Sequence, residues 1–329
     1  MLSRVAERIY WLGRYMERGE NVARLVNVNS NLLLDLPRGT RLGWGALIDI
    51  SGTGEYFNRD TDLADERTVV RFMLMDKDNP SSLLNSLSWA RENARITREI
   101  IPMEAWELVN DLYHFIKDKS AAVLNRRERS AILLQIISQV QQFTGLLTGC
   151  MTHNDAYDFI RIGRNLERAD MTTRIVDAGL VHLLPKASEA GSSDDEISPY
   201  NNVMWMSVLR SLSGYQMYRQ HVRDRVNAKD VVKFLLQNEN FPRAAAHSLR
   251  ELEQCLKKLP MHKSALLVAT QVHKKMGEAD VGELLTSSGL HDYIDEIQEA
   301  IGRVHECITE TWFLPLVHTP SAEPRLAVV

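Results

Sequence analysis

Apolar residues recur every three or four positions over roughly the first 34 residues, and polar residues fill the positions between them. This spacing predicts a long amphipathic helix from about Arg4 to Leu34, with Ser3 as a candidate N-cap and Pro37 just beyond its end. The same spacing over about Asp155 to Leu184 predicts a second long helix, which Pro185 follows. The chain therefore contains two similar long helices, one in each half.

Helical spacing continues through most of the remaining chain, and no segment shows a convincing strand alternation. Gly52 and Gly54 weaken the pattern between Leu47 and Phe57. The other predicted helices begin after Asp65, Ser81, Met103, Arg126, Asn201, Asn227, Pro242, Ser264 and Leu290. The sequence predicts an all-α fold, arranged as a multi-helix bundle.

The two long helices share a motif of charged residues. Residues 12–27, LGRYMERGENVARLVN, and residues 162–177, IGRNLERADMTTRIVD, both read G-R-x-x-E-R-x-[ED]-x-x-x-R. Trp44 matches Trp205, and the segment from Val69 matches the segment from Val231 in the same order. This order predicts an internal duplication, in which two units pack face to face about a pseudo-twofold axis.

The predicted organisation is a single domain over residues 1–329, made of repeat 1 (1–150) and repeat 2 (151–317). A Ser-, Asp- and Pro-rich stretch at 185–200 predicts a flexible loop inside repeat 2. Residues 318–329 are predicted to form a flexible tail. Two independent domains are the alternative arrangement.

Charge and composition narrow the classes of partner. A formal net charge of -4 gives no general attraction to nucleic acid or to an anionic membrane, so neither is expected as a partner. The three cysteines are far apart, and none has the spacing of a zinc site, so no metal is expected. Charges at Arg4, Glu7 and Arg8 replace the apolar core of a secretory signal, which predicts a cytoplasmic protein.

The repeated charged residues are the candidate functional residues. Helical spacing predicts that Arg14 pairs with Glu17 and that Glu20 pairs with Arg24. Residue type is retained between the two copies, which favours a partly buried structural lock or a binding site over a solvated face. The candidates are Arg14, Glu17, Arg18, Glu20, Arg24, Arg164, Glu167, Arg168, Asp170 and Arg174.

A third charged element, SWARENARITRE, adds Arg91, Glu92 and Arg95 to the candidates. Its counterpart in the second half has lost the pattern, which is typical either of a specialised function or of drift. Near the second motif, CMTHNDAYD contains Cys150 and His153, but the residues around Asn154 favour helix capping over catalysis.

Common cofactor motifs are missing from the sequence. It contains no G-x-x-x-x-G-K-[ST], no G-x-G-x-x-G and no Glu-x-x-His, so no cofactor is expected. The balance is against an enzyme and in favour of reversible binding of an acidic or peptide ligand by arginine guanidinium groups. An enzyme that uses Glu17 and Glu167 as acid and base is the alternative.

The opening 25 residues, ARENAR from Ala90 and IGRNLERAD from Ile162 resemble the alpha-E family, a bacterial all-helical family with a recurring Glu-Arg pair. The resemblance covers nearly the whole chain and places that pair at Glu17 with Arg18 and at Glu167 with Arg168. It implies two partners, a circularly permuted ATP-grasp protein and a transglutaminase-like peptidase. The resemblance therefore implies a component of a system that makes or modifies a peptide or amide bond.

Overall fold

The computed structural model describes residues 2–35, 44–57, 64–183, 200–287 and 289–314. Every regular element within these ranges is helical, which confirms the all-α prediction. The helices are α1 (Ser3–Asp35), α2 (Ala46–Ser51), α3 (Glu66–Met75), α4 (Leu83–Ile96), α5 (Met103–Asp118), α6 (Arg126–Cys150), α7 (Asp155–Leu183), α8 (Tyr200–Ser211), α9 (Tyr215–His221), α10 (Ala228–Gln237), α11 (Ala245–Leu256), α12 (Lys263–Glu278), α13 (Val281–Thr286) and α14 (Leu290–Ile308). A single helical turn at Gly54–Tyr56 lies between α2 and α3, and another at Thr309–Phe313 follows α14.

Short polar side chains set several of the helix starts. The Asp65 carboxylate accepts a hydrogen bond from the Thr68 backbone N–H at 2.8 Å, and the Ser82 hydroxyl accepts one from the Asn85 N–H at 3.2 Å. Ser3 is the first residue of α1 rather than its cap, and the carbonyl of Leu2 accepts the first helical bonds. The predicted helix starts agree with the structure to within a few residues.

Two short helices, α9 and α13, were not predicted, because elements of six or seven residues are too short to show a helical period. The uncertain segment near Gly52 contains α2, which ends where Gly52 adopts a left-handed conformation with φ 64°. The predicted loop 185–200 and tail 318–329 lie outside the described residues, apart from Tyr200, which begins α8.

The two long helices α1 and α7 lie at the centre and pack extensively on each other. Helices α4 and α6 cover α1, whereas α11 and α14 cover α7. Ile9, Leu12 and Val26 of α1, with Ile162 and Leu166 of α7, are fully buried in the shared core. The charged motif therefore lies at the contact between the two central helices.

Candidate functional site

The first residue of the shared motif, glycine, is the point where α1 and α7 touch. A methyl group added to Gly13 would lie 2.3 Å from the Ile160 carbonyl oxygen, and one added to Gly163 would lie 2.1 Å from the Tyr10 carbonyl oxygen. Only glycine permits backbones to approach this closely. The contact is reciprocal, and it brings the charged residue that follows each glycine toward the opposite helix.

Glu167 of α7 receives two arginines from α1. Arg18 binds it through two parallel hydrogen bonds, from Nε to Oε1 at 2.6 Å and from a terminal nitrogen to Oε2 at 3.0 Å. Arg14 adds a bond from its Nε to Oε2 at 2.7 Å. Only 2% of Glu167 is exposed, so these charge-assisted bonds form in a site with little water.

Glu17 of α1 is bound in the reciprocal way by α7. Arg168 donates from Nε to Oε1 at 2.9 Å and from a terminal nitrogen to Oε2 at 2.6 Å. Arg243, which precedes α11, donates to Oε1 at 3.2 Å. Each motif glutamate is thus held by the motif arginine of the other helix and by one further arginine.

A third carboxylate extends the cluster. Glu20 accepts hydrogen bonds from Arg24 at 2.9 and 2.6 Å, and it also accepts one from Arg243. Arg24 reaches Ser213 at 2.6 Å, which ties α1 to the turn after α8. The ion pairs form two groups at the α1–α7 contact, one around Glu167 and one around Glu17 and Glu20. We call the two groups together the central network: Arg14, Glu17, Arg18, Glu20, Arg24, Glu167, Arg168 and Arg243.

The predicted pairing along α1 was half right. Glu20 and Arg24 pair within the helix, as their spacing indicated. The predicted pair of Arg14 with Glu17 was wrong, because Arg14 crosses to Glu167. On a buried face, each charge needs a partner that also satisfies the packing, and here that partner comes from the neighbouring helix.

The arginines keep both motif glutamates ionised. Burial would raise the pKa of Glu167, but the positive charges of Arg18 and Arg14 outweigh it and lower that pKa to about 2. Burial would also raise the pKa of Glu17, but the positive charges of Arg168 and Arg243 hold that pKa well below its usual range. Neither carboxyl group therefore carries a proton near neutral pH.

A second hydrogen-bond chain leads from Arg14 to α14. A terminal nitrogen of Arg14 donates to the Tyr10 hydroxyl at 3.2 Å, and the hydroxyl shares a hydrogen bond of 2.8 Å with His305 Nδ1. Burial, assisted by the charge of Arg14, lowers the pKa of His305 to about 4 and keeps the ring neutral.

Comparison with known proteins identifies the family of the chain. The Alpha-E family model, described as a predicted alpha-helical domain with a conserved ER motif, matches residues 1–313. This chain belongs to the Alpha-E family. The Glu-Arg pairs at Glu17–Arg18 and Glu167–Arg168 are the residues that α1 and α7 exchange at their crossing.

Two mycobacterial relatives are longer than this Alpha-E chain. An uncharacterized protein of Mycobacterium bovis, Mb2597, is 23% identical over 280 residues, which cover 78% of this chain and 30% of the relative. An uncharacterized protein of Mycobacterium tuberculosis, Rv2567, is 22% identical over the same shares. The chain thus matches less than a third of each relative's length. No solved structure matches the chain.

Three other predicted residues, Asp170, Arg174 and Arg164, lie at the edge of the central network. Asp170 and Arg174 pair within α7 at 3.0 Å, where both side chains are partly exposed. The Arg174 guanidinium packs against Gly52, where an added methyl group would lie only 2.6 Å away. Arg164 is close to the network, but its Nε donates a hydrogen bond to no described residue.

The third charged element lies apart from the central network. Arg91 donates from Nε to Asn110 at 2.8 Å and stacks over the rings of Trp106 and Tyr113, so it fastens α4 to α5. Glu92 and Arg95 form a surface pair at 2.7 Å. The structure therefore separates the predicted helix face into one packing arginine and one exposed ion pair.

The residues around Cys150 and His153 behave as the capping interpretation predicts. The Asn154 side chain accepts a hydrogen bond from the Ala156 backbone N–H at 3.1 Å at the start of α7. His153 stacks on the Tyr157 ring with centroids 4.0 Å apart. These contacts order the turn between α6 and α7.

One group of side chains has the composition of a cation site, namely Asp177, His291 and Asp295. Asp177 contacts Nδ1 of His291 at 2.6 Å, whereas Asp295 is 3.7 Å from Nε2. The two carboxylates contact different nitrogen atoms of the exposed His291 ring, so the group is best described as a bridge between α7 and α14.

Three cavities show where the described surface could accept a small molecule. A groove of about 590 Å³ lies between α12, α13 and α14 and includes Lys275 and Tyr293. A narrow apolar cavity of about 60 Å³ lies among α1, α2, α7 and α8, and a third adjoins α10. None of these three is lined by the central network, whose side chains fill the space between the helices.

Sequence reasoning did not select Arg243 or His305. Arg243 is 226 residues from Glu17 along the chain, and it takes the alignment position of Ser81 in the first half. This difference between the two halves is the sequence feature that could have pointed to Arg243. His305 lies in the last helix, and nothing in its local pattern connects it with Tyr10.

The neutral state of His305 predicts a pH effect on stability. The unfolded chain binds a proton at His305 near pH 6.5, whereas the folded chain binds it only near pH 4. Stability contributed by the neutral ring is therefore present above pH 6.5 and is lost as the pH falls toward 4. We expect the advantage of the wild type over His305→Gln to shrink by about 1–3 kcal/mol across this window.

Urea unfolding of both proteins at several pH values between 7 and 4 measures that difference. His262→Gln is the matched control, since His262 is partly exposed and bonds only the Leu259 carbonyl. A stability advantage over His305→Gln that stays constant from pH 7 to pH 4 would contradict the neutral assignment of His305.

Proposed function

We propose that this Alpha-E chain is an accessory, non-catalytic subunit of an ATP-grasp-linked system that makes or modifies a peptide or amide bond. In this role it binds the circularly permuted ATP-grasp protein or its peptide product in the cytoplasm, beside a transglutaminase-like peptidase. The observation that carries the proposal is that the glutamates and arginines of the family motif bind one another. They hold α1 to α7, and neither Glu17 nor Glu167 is left free to act as an acid or a base.

The geometry argues against the enzyme alternative. An acid or base in catalysis needs a pKa near the working pH and a free path to its substrate. Glu17 and Glu167 have strongly lowered pKa values, and their oxygens accept bonds from four arginine side chains between them. A proton on either carboxylate would break a buried ion pair, so these residues are suited to architecture.

The length of the relatives supports a role beside another protein. This chain matches only 30% of the mycobacterial proteins, so the Alpha-E segment occurs there with further sequence on the same polypeptide. Interfaces between domains of one chain resemble those between separate proteins, so a segment that lies beside other domains in one protein is suited to bind a separate partner in another. The ATP-grasp partner itself is implied by the family resemblance.

We also propose that the two halves arose by duplication and are related by a pseudo-twofold axis through the α1–α7 crossing. The glycine contact and the Glu-Arg exchange are both reciprocal between the two helices. Helices α3 and α10 have ten residues each, and α5 and α12 have 16 each, in matching order. Reciprocal contacts of this kind are what a twofold relation would produce.

Co-expression with a circularly permuted ATP-grasp protein tests the accessory role. We expect the two chains to co-purify, and we expect ATP turnover by the partner to change when this chain is added. An unrelated helical protein of similar size serves as the control for nonspecific effects. The proposal fails if no complex forms and turnover is unaffected, or if this chain alone converts a peptide or amine substrate.

A further inference from the structure

Arg164 differs from every other arginine of the two motifs in lacking a partner. Its Nε is sealed from solvent, and no described residue accepts a hydrogen bond from it. The rest of the side chain is partly exposed, so the guanidinium group lies at the boundary between the network and water. A buried donor without an acceptor is costly and therefore unusual in a native protein.

Comparison with the other motif copy explains why Arg164 is free. Its counterpart, Arg14, supplies the second arginine to Glu167. On the other side, Arg243 supplies the second arginine to Glu17, so the position that Arg164 would fill is occupied. In the first half, the residue aligned with Arg243 is Ser81, which has no guanidinium group. One substitution between the halves therefore releases one arginine.

The surroundings of Arg164 carry excess positive charge. The central network contains five guanidinium groups and three carboxylates, and Arg164 adds a sixth positive group beside it. Burial, together with the charges of Arg168 and Arg161, lowers the pKa of Arg164 to about 10 against the opposing effect of Glu17. Glu17 cannot neutralise Arg164 by contact, because its oxygens are held by Arg168 and Arg243.

The other acidic groups nearby are also engaged. Arg161, one helical turn before Arg164, pairs with Glu251 of α11 and lies 4.0 Å from Asp158. Asp158 is bound in addition by Lys258 at 3.1 Å. The stripe formed by residues 161, 164 and 168 on α7 thus presents three arginines, of which the middle one lacks an anion.

We propose that Arg164 forms a binding site for a small oxyanion, either a carboxylate or a phosphate, at the edge of the central network. The planar guanidinium group binds both oxyanions through two parallel hydrogen bonds. Such a ligand binds the terminal nitrogens, which are not sealed as Nε is, and it offsets the local excess of positive charge. The site belongs to the isolated chain, so it stands or falls independently of binding to an ATP-grasp partner.

Thermal unfolding of the full chain with inorganic phosphate tests the site. We expect about 20 mM phosphate to raise the melting temperature by about 2 °C at constant ionic strength. Arg164→Met should abolish this increment, and its own stability should be equal to or above that of the wild type, because an unpaired charge is removed. Arg95→Met, at an exposed surface pair, is the control and should retain the increment.

A direct titration separates the two oxyanions. Acetyl-glycyl-glycine carries a peptide carboxylate, and its carboxamide form is the uncharged control. Binding of phosphate or of the peptide acid that weakens tenfold or more in Arg164→Met supports the site. Arg164→Lys keeps the positive charge but loses the planar group that donates two parallel hydrogen bonds, so this variant should bind the oxyanion with intermediate affinity. Equal responses of the wild type and Arg164→Met to both probes, or no response to either, would overturn the proposal.

Discussion

Replacement of Glu167 by glutamine is expected to lower the free energy of unfolding by about 3–5 kcal/mol. The wild-type carboxylate is 2% exposed and accepts three hydrogen bonds from Arg18 and Arg14. Glutamine removes the negative charge and places an amide N–H group where one arginine needs an acceptor. Two guanidinium groups then remain buried without a counter-charge, and that is the source of the large cost.

Urea unfolding of Glu167→Gln and of the wild type provides the comparison. Glu92→Gln is the matched control, because Glu92 also binds an arginine, but at an exposed pair. The control should change stability by less than about 1 kcal/mol. If Glu167→Gln is as stable as the wild type, Glu167 does not hold α1 and α7 together.

Replacement of Gly163 by alanine is expected to be at least as damaging, with a loss of more than about 3 kcal/mol or a failure to fold. The added methyl group would lie 2.1 Å from the Tyr10 carbonyl oxygen, which belongs to a backbone that cannot rotate away. The long helices would have to separate. That separation would stretch every hydrogen bond between the motif arginines and glutamates.

Gly145→Ala and Gly302→Ala are matched controls for that change. Both glycines lie within helices, and an added methyl group would meet no atom within 4 Å. Because alanine favours helix over glycine, these variants should be stabilised by up to about 1 kcal/mol. If Gly163→Ala has the same melting temperature as the wild type, there is no tight backbone contact at the crossing.

Much of the architecture could be predicted from local sequence. Periodic apolar positions located α1 and α7, and the capping residue Asn154 indicated the start of α7, because both signals are contained within a few turns of chain. The repeated motif also identified Glu17 and Glu167 as special. The short helices α9 and α13 were not predicted, because they are too short to show a helical period.

The partners of the charged residues could not be predicted in the same way. Helical spacing suggests neighbours on one helix, and it succeeded for Glu20 with Arg24. It failed for Arg14, because the close contact at Gly13 brings Glu167 of the other helix nearer than any local acid. Arg243 enters the network through tertiary packing alone.

The most direct test of the reciprocal lock is a double-mutant cycle on Glu17 and Arg168. Urea unfolding of Glu17→Gln, Arg168→Met and the double variant gives the coupling energy between the two side chains. The paired bonds at 2.9 and 2.6 Å predict a favourable coupling of about 1–3 kcal/mol. A coupling near zero would show that the two residues act independently, and it would contradict the assignment of the Alpha-E motif as a lock between α1 and α7.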